Sequence, residues 1–145
     1  MRTARFHLAL WDAPDTFFQV DLTRLAAFHE QAGSELTLCL FRPEEAGRYG
    51  GIEMDPRGRV TAFLDKSAAA RKLANGGVYL VNPAVLAAMA ARPPRKCSFE
   101  ADLLPELLAS GARVFGLECP GRFLDIGVPA DYARAAEFVS HRSSR

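Results

Sequence analysis

The sequence predicts an α/β domain with a mixed, mostly parallel sheet and an inserted β-hairpin. Three observations carry that prediction. Leu36 to Phe41 is an unbroken apolar run of strand length, as expected for a strand buried on both faces. The segments alternate along the chain between strand-like and helix-like periods, the pattern of an α/β domain. Finally, Pro56-Arg57-Gly58 separates two strand-like stretches, and this is a turn with a mechanism: proline presets φ and glycine accepts a positive φ.

In chain order, Phe6 to Trp11 reads as a short apolar strand ended by Asp12-Ala13-Pro14-Asp15. Asp21 is placed to cap a helix that runs through Ala32 and closes at Gly33, with Leu22, Leu25, Ala26 and Phe28 on its apolar face. The buried strand Leu36 to Phe41 leads into a loop, Pro43 to Tyr49, and then the hairpin of Gly51 to Asp55 and Arg59 to Leu64. Gly77 to Val81 is a further strand. Asn82 then caps a helix that has Pro83 at its first position. Ser98 caps another helix through Leu108, with Gly111 just beyond its end. Arg113 to Glu118 and Phe123 to Ile126 are strands, and Pro129 opens a last helix with Tyr132, Ala135, Ala136 and Val139 at helical spacing.

Residues 1–145 are read as one domain, since that length supports one core and is short for two. With 18 basic and 17 acidic residues the formal net charge is +1, which argues against a nucleic-acid groove or an anionic membrane as partner. No apolar stretch is long enough for a membrane span, and the first residues lack a signal-peptide pattern, so a cytoplasmic protein is expected. Cys39, Cys97 and Cys119 form no CxxC pair and suit a reducing compartment, with Cys39 expected to be a buried small hydrophobe. His7, His29 and His141 are far apart and suggest no ligand set. GxSxG, HExxH, Walker and GxGxxG signatures are all absent.

What remains is a series of short segments in a distinctive order: Asp15-Thr16-Phe17-Phe18-Gln19-Val20-Asp21-Leu22, Ala46-Gly47-Arg48-Tyr49-Gly50, Phe63-Leu64-Asp65-Lys66, Asn75-Gly76-Gly77-Val78-Tyr79-Leu80, Ser98-Phe99-Glu100-Ala101-Asp102-Leu103-Leu104-Pro105 and Phe123-Leu124-Asp125-Ile126-Gly127-Val128-Pro129-Ala130-Asp131-Tyr132. Together they resemble the sugar-1-phosphate nucleotidyltransferases, especially the guanylyltransferases acting on mannose or heptose 1-phosphate. The likeness extends from about residue 6 to 138. It implies a truncated, Rossmann-like nucleotidyltransferase domain.

In that family a sugar phosphate attacks the α-phosphorus of a nucleoside triphosphate, and Mg²⁺ held by carboxylates neutralises charge. The resemblance makes Asp15 and Asp125 the counterparts of the metal-binding aspartates, with Asp125 also counted as catalytic. Lys66 corresponds to the lysine that approaches the sugar phosphate, a role suited to a flexible ammonium. Asp65 stands where a glutamate is usual. Asn75 matches the asparagine that bonds sugar hydroxyls, and Gly76 allows close backbone approach. Tyr49 and Gly50 match the loop bordering base and sugar. Each position also has a plainer reading: Asp15 as a turn residue, Asp125 as a strand-end carboxylate on nearby amides, Lys66 as a surface lysine, Asn75-Gly76 as a turn before a buried strand, and Gly50 as a loop glycine.

The sequence also departs from the family pattern. Nothing in it matches Gly-x-Gly-Thr-Arg, the glycine-rich loop that holds the triphosphate, so transfer by this chain alone is not expected. Ala13-Pro14 replaces the usual Asn-Gly, and Asp12 rivals Asp15 for the metal position. Val128 replaces a capping threonine. The expected partners are a sugar 1-phosphate, a nucleotide, and a second copy of the chain covering an open sheet edge. A non-catalytic sugar-phosphate-binding module is the alternative.

Overall fold

A computed structural model describes residues 7–10, 16–93 and 95–125. The expected helix after Pro129 and the Asp12–Asp15 turn lie outside these residues. The main sheet has four strands, β1 (His7–Leu10), β3 (Leu36–Phe41), β6 (Ala74–Val81) and β7 (Val114–Glu118), in the order β1-β6-β3-β7. The sheet is mixed, but the expectation of mostly parallel pairing is corrected here. β6 runs antiparallel to both β1 and β3, and only β3 and β7 are parallel. The connections explain this. A two-stranded hairpin, β4 (Gly51–Met54) and β5 (Val60–Leu64), leaves and rejoins the sheet at one end, so β6 starts beside the end of β3, with Ala74 opposite Phe41. The chain then crosses through α2 (Pro83–Ala90) and α3 (Leu104–Ala109) and starts β7 where β6 ended, with Val114 opposite Leu36.

β3 owes its continuous apolarity to burial on both faces. Leu36, Leu38 and Leu40 pack on one side with Tyr79, Val81 and Phe99, while Cys39 faces the other with Leu25, Val78 and Leu117. The period-two geometry of a strand divides one apolar run between two cores. Burying each leucine contributes about 1.5–3 kcal/mol.

α1 (Leu22–Ala32) covers the second face. The Asp21 side chain accepts from the Arg24 N–H at 3.1 Å, and Gly33 ends the helix in the left-handed region at φ 63°. On its expected apolar face Leu25 is buried, but Leu22, at the first position after the cap, is 53% exposed. His29 is buried in its stead. It lies four residues after Leu25, one helical turn along the same face. Its Nδ1 lies 2.7 Å from Thr37 Oγ1 and its Nε2 2.7 Å from Asn82 Oδ1, so it ties α1 to β3 and to the start of α2. Asn82 does occupy the cap position ahead of Pro83, yet its side chain serves His29 and makes no cap hydrogen bond.

One further element differs from expectation in detail. Ser98 caps its helix as expected, its Oγ accepting from the Ala101 N–H at 3.2 Å. The first turn, Phe99–Leu103, is a π turn and α3 begins only at Leu104. Pro105 has no N–H to offer the Ala101 carbonyl, and bonds such as Leu103 N–H to Ser98 O at 3.2 Å take over. At the hairpin tip Gly58 has φ 86°, and Asp55 Oδ1 accepts from the Arg57 and Arg59 amides, each at 2.9 Å. This tip leans on β7: the Gly116 N–H donates to the Gly58 carbonyl at 2.9 Å.

Candidate functional site

A second ribbon, β2 (Thr16–Phe18) and β8 (Phe123–Asp125), pairs antiparallel with Thr16 opposite Asp125 and Phe18 opposite Phe123. Asp15 and its rival Asp12 lie outside the described residues. Thr16, which follows Asp15 in the chain, is nevertheless the direct partner of Asp125. The ribbon arises because Phe17, Phe18, Phe123 and Leu124 are short apolar stretches that bury better together than apart.

The ribbon is joined to the main sheet by aromatic packing. The Phe41 and Phe123 rings stack with centroids 3.7 Å apart, and Phe18 meets Phe123 edge-on at 5.5 Å. Tyr49 completes the group, 5.1 Å from Phe41 and 5.9 Å from Phe123. Gly76 is the small residue that lets Phe18 in: a Cβ there would stand 2.4 Å from the ring and 3.0 Å from the Cys39 carbonyl. The space beside Gly76 is therefore filled by Phe18. The neighbouring Gly77 takes a positive φ of 77°.

Three of the predicted segments converge at the base of the hairpin. Gly51 is opposite Leu64 in the β4–β5 ladder, and a Cβ at Gly50 would meet the Leu64 carbonyl at 2.7 Å. Asp65 and Lys66 follow directly, both exposed, with Lys66 opening the short 3₁₀ turn Lys66–Ala68. On the other side the Ile52 N–H donates to the Leu73 carbonyl at 2.9 Å, two residues before Asn75. Tyr49-Gly50, Asp65-Lys66 and Asn75-Gly76 thus come from distant parts of the sequence to neighbouring strand ends.

Asn75 has more partners than its motif suggested. Its Nδ2 donates to the Tyr79 hydroxyl at 2.6 Å and to Glu100 Oε1 at 3.1 Å, and its Oδ1 accepts from the Gly77 N–H at 3.0 Å. Tyr79 is fully buried against Phe99, with ring centroids 4.6 Å apart. Sequence reasoning assigned no role to Tyr79 or Glu100. Both lie in the segments that carry the resemblance, but residue type and spacing hold no signal that the two would meet at Asn75.

Among the described residues no group of three or more His, Cys, Asp or Glu side chains is arranged to hold a metal. Cys39 is buried as expected beside Cys119; that neighbour and burial push the Cys39 thiol up, while the same contact pulls the Cys119 thiol below its ordinary value. Also among the described residues, no helix is long and apolar enough to cross a membrane.

The two packed cores and the mixed sheet define an α/β domain. The family described as Nucleotidyl transferase matches residues 5–142, and the chain belongs to it. It is 34% identical over 127 residues to a D-glycero-alpha-D-manno-heptose 1-phosphate guanylyltransferase of Aneurinibacillus thermoaerophilus, covering 88% of this chain and 54% of that protein. It is 33% identical over 121 residues to a probable mannose-1-phosphate guanylyltransferase 2 of Oryza sativa subsp. japonica, covering 81% of this chain and 32% of that protein. The crystal structure of HddC from Yersinia pseudotuberculosis, solved also in complex with GMP-PN, superposes with a TM-score of 0.69 at 25% identity over 86% of this chain and 52% of that one. The chain therefore spans between a third and about half the length of these relatives.

Proposed function

We propose that this chain forms the sugar-phosphate side of a nucleotidyltransferase site, taking mannose 1-phosphate or a heptose 1-phosphate as ligand. The observation that supports it best is the meeting of Tyr49-Gly50, Asp65-Lys66 and Asn75 at the hairpin base, next to a ribbon in which Asp125 opposes Thr16. Lys66 would receive the phosphate, and Asn75 and Asp65 the sugar hydroxyls. Asp15 and Asp125 would hold Mg²⁺, because two hard carboxylates suit a small dication that keeps other positions for phosphate oxygens. When bound there, the ion supplies charge neutralisation at the phosphate.

Nucleotidyl transfer further requires amides and an arginine around the triphosphate, and no Gly-x-Gly-Thr-Arg occurs in these 145 residues. Transfer is accordingly assigned to an assembly that supplies such a loop, with a nucleotide as second ligand. Asp65 in place of glutamate favours a second reading: a binding module that holds the sugar phosphate without reacting it. A homodimer is proposed through β1, whose outer side pairs with no strand among the described residues. A cytoplasmic setting is proposed because Cys39 and Cys119 sit side by side as free thiols.

Isothermal calorimetry with mannose 1-phosphate and heptose 1-phosphate, with and without Mg²⁺, tests the main reading. Metal-dependent binding of either sugar phosphate is the expected result. Absence of binding by both, with and without metal, overturns it.

A further inference from the structure

We propose that Glu100 is a positioning residue that acts through Asn75 and leaves the Asn75 side chain to accept from a ligand without donating to it. The inference rests on the sugar-phosphate reading above and adds a rule for which ligand group the corner takes.

The hydrogen-bond inventory of Asn75 is closed on the donor side. An amide nitrogen has two N–H bonds, and those of Asn75 point to the Tyr79 hydroxyl at 2.6 Å and Glu100 Oε1 at 3.1 Å. The orientation of the amide is set chemically at both ends. The Gly77 N–H, 3.0 Å from Oδ1, can only donate, and an ionised Glu100 can only accept, so exchanging Oδ1 and Nδ2 would break both bonds. Tyr79 is fully buried, and Glu100 directly follows Phe99, which is 1% exposed, at the start of the π turn. Without Glu100, the broad torsion at the end of an asparagine side chain would let one N–H swing toward the ligand.

What Asn75 still offers is the second lone pair of its Oδ1, an acceptor. A ligand group that donates, such as a sugar hydroxyl, is matched there, whereas one that only accepts, such as fluorine, is opposed. Specificity then depends on which group would be left unpaired.

The test measures mannose 1-phosphate and its monofluorinated, singly hydroxyl-replaced analogues by calorimetry against wild type, Glu100→Ala and Glu100→Gln. It also follows the Asn75 side-chain amide resonances of the ligand-free proteins by ¹⁵N NMR. In wild type, one fluorine position is expected to weaken binding at least tenfold. In Glu100→Ala that penalty falls below about threefold and the Asn75 amide resonances shift or exchange-broaden. Glu100→Gln, whose carbonyl still accepts from Asn75, restores the penalty. A Glu100→Ala protein with unchanged resonances and an unchanged fluorine penalty overturns the positioning role and leaves the sugar-phosphate reading intact. Failure of wild type to bind either mannose 1-phosphate or heptose 1-phosphate, with and without Mg²⁺, overturns both.

Discussion

Thr16 and Asp125, 109 positions apart in sequence, are direct cross-strand partners in the β2–β8 ribbon. Their pairing brings a chain stretch that follows Asp15 in sequence against the end of β8. Asp125→Asn keeps the size of the side chain and removes its charge. The expected outcome is loss of the Mg²⁺-dependent part of mannose 1-phosphate binding in calorimetry, with a thermal melt that stays cooperative. Binding that keeps its full metal dependence would remove Asp125 from the metal site.

Gly76 and Phe18 lock the ribbon to β6. Gly76→Ala puts a methyl group 2.4 Å from the Phe18 ring, so the ring must move, at a cost of about 1–3 kcal/mol in urea unfolding. Combining it with Phe18→Leu relieves the clash, and the double variant should lose less than the sum of the singles by at least about 0.5 kcal/mol. Simple additivity would place the strain elsewhere.

His29 is a structural residue by its contacts. His29→Ala leaves Thr37 and Asn82 without the partner that bridges them, in or beside the core. A loss of about 1–3 kcal/mol is expected, since Asn82 Oδ1 loses its partner while Thr37 Oγ1 still donates to Ser34 Oγ at 2.9 Å. Chemical denaturation reads this directly, and a change below about 1 kcal/mol would mean that water replaces the imidazole.

Glu106 bonds both Arg92 and Arg95, the latter at 2.6 Å, and these guanidiniums hold its carboxyl below the ordinary value of 4.5. A carboxylate with a lowered folded-state pKa adds stability above its unfolded pKa and loses it as pH falls through the folded one. Wild type should therefore melt above Glu106→Gln at neutral pH, and the two curves should converge below about pH 4.5, where the acid begins to protonate. The gap should also shrink with added salt, since the group is solvent-exposed. A gap that is constant from pH 3 to 7 would assign the difference to something other than charge.

Elements with local causes were legible in the sequence. β3, the capped helix from Asp21 to Gly33 and the turn at Gly58 each depend on residues a few positions apart, and all three stand as read. The direction of β6 was not legible, because it follows from where the hairpin returns the chain and not from the composition of the strand. The same holds for β2, three residues long and stable only against β8. For the site, Tyr49, Gly50, Asp65, Lys66 and Asn75 came from a resemblance of segments. The contact of Asn75 with Glu100 came from neither motif nor period, since 25 residues, α2 and a π turn separate them.

The contact of Gly116 with Gly58 bears on how copies of this chain could add to one another. Because the hairpin tip already takes the Gly116 amide, an incoming strand finds the middle of that rim occupied. Among the described residues of the main sheet, strand addition is then left to the β1 side. A sheet open on one side can take one further copy there, whereas two open sides would allow a fibre to extend. The hairpin thus acts as a chain terminator for the β7 side of the sheet.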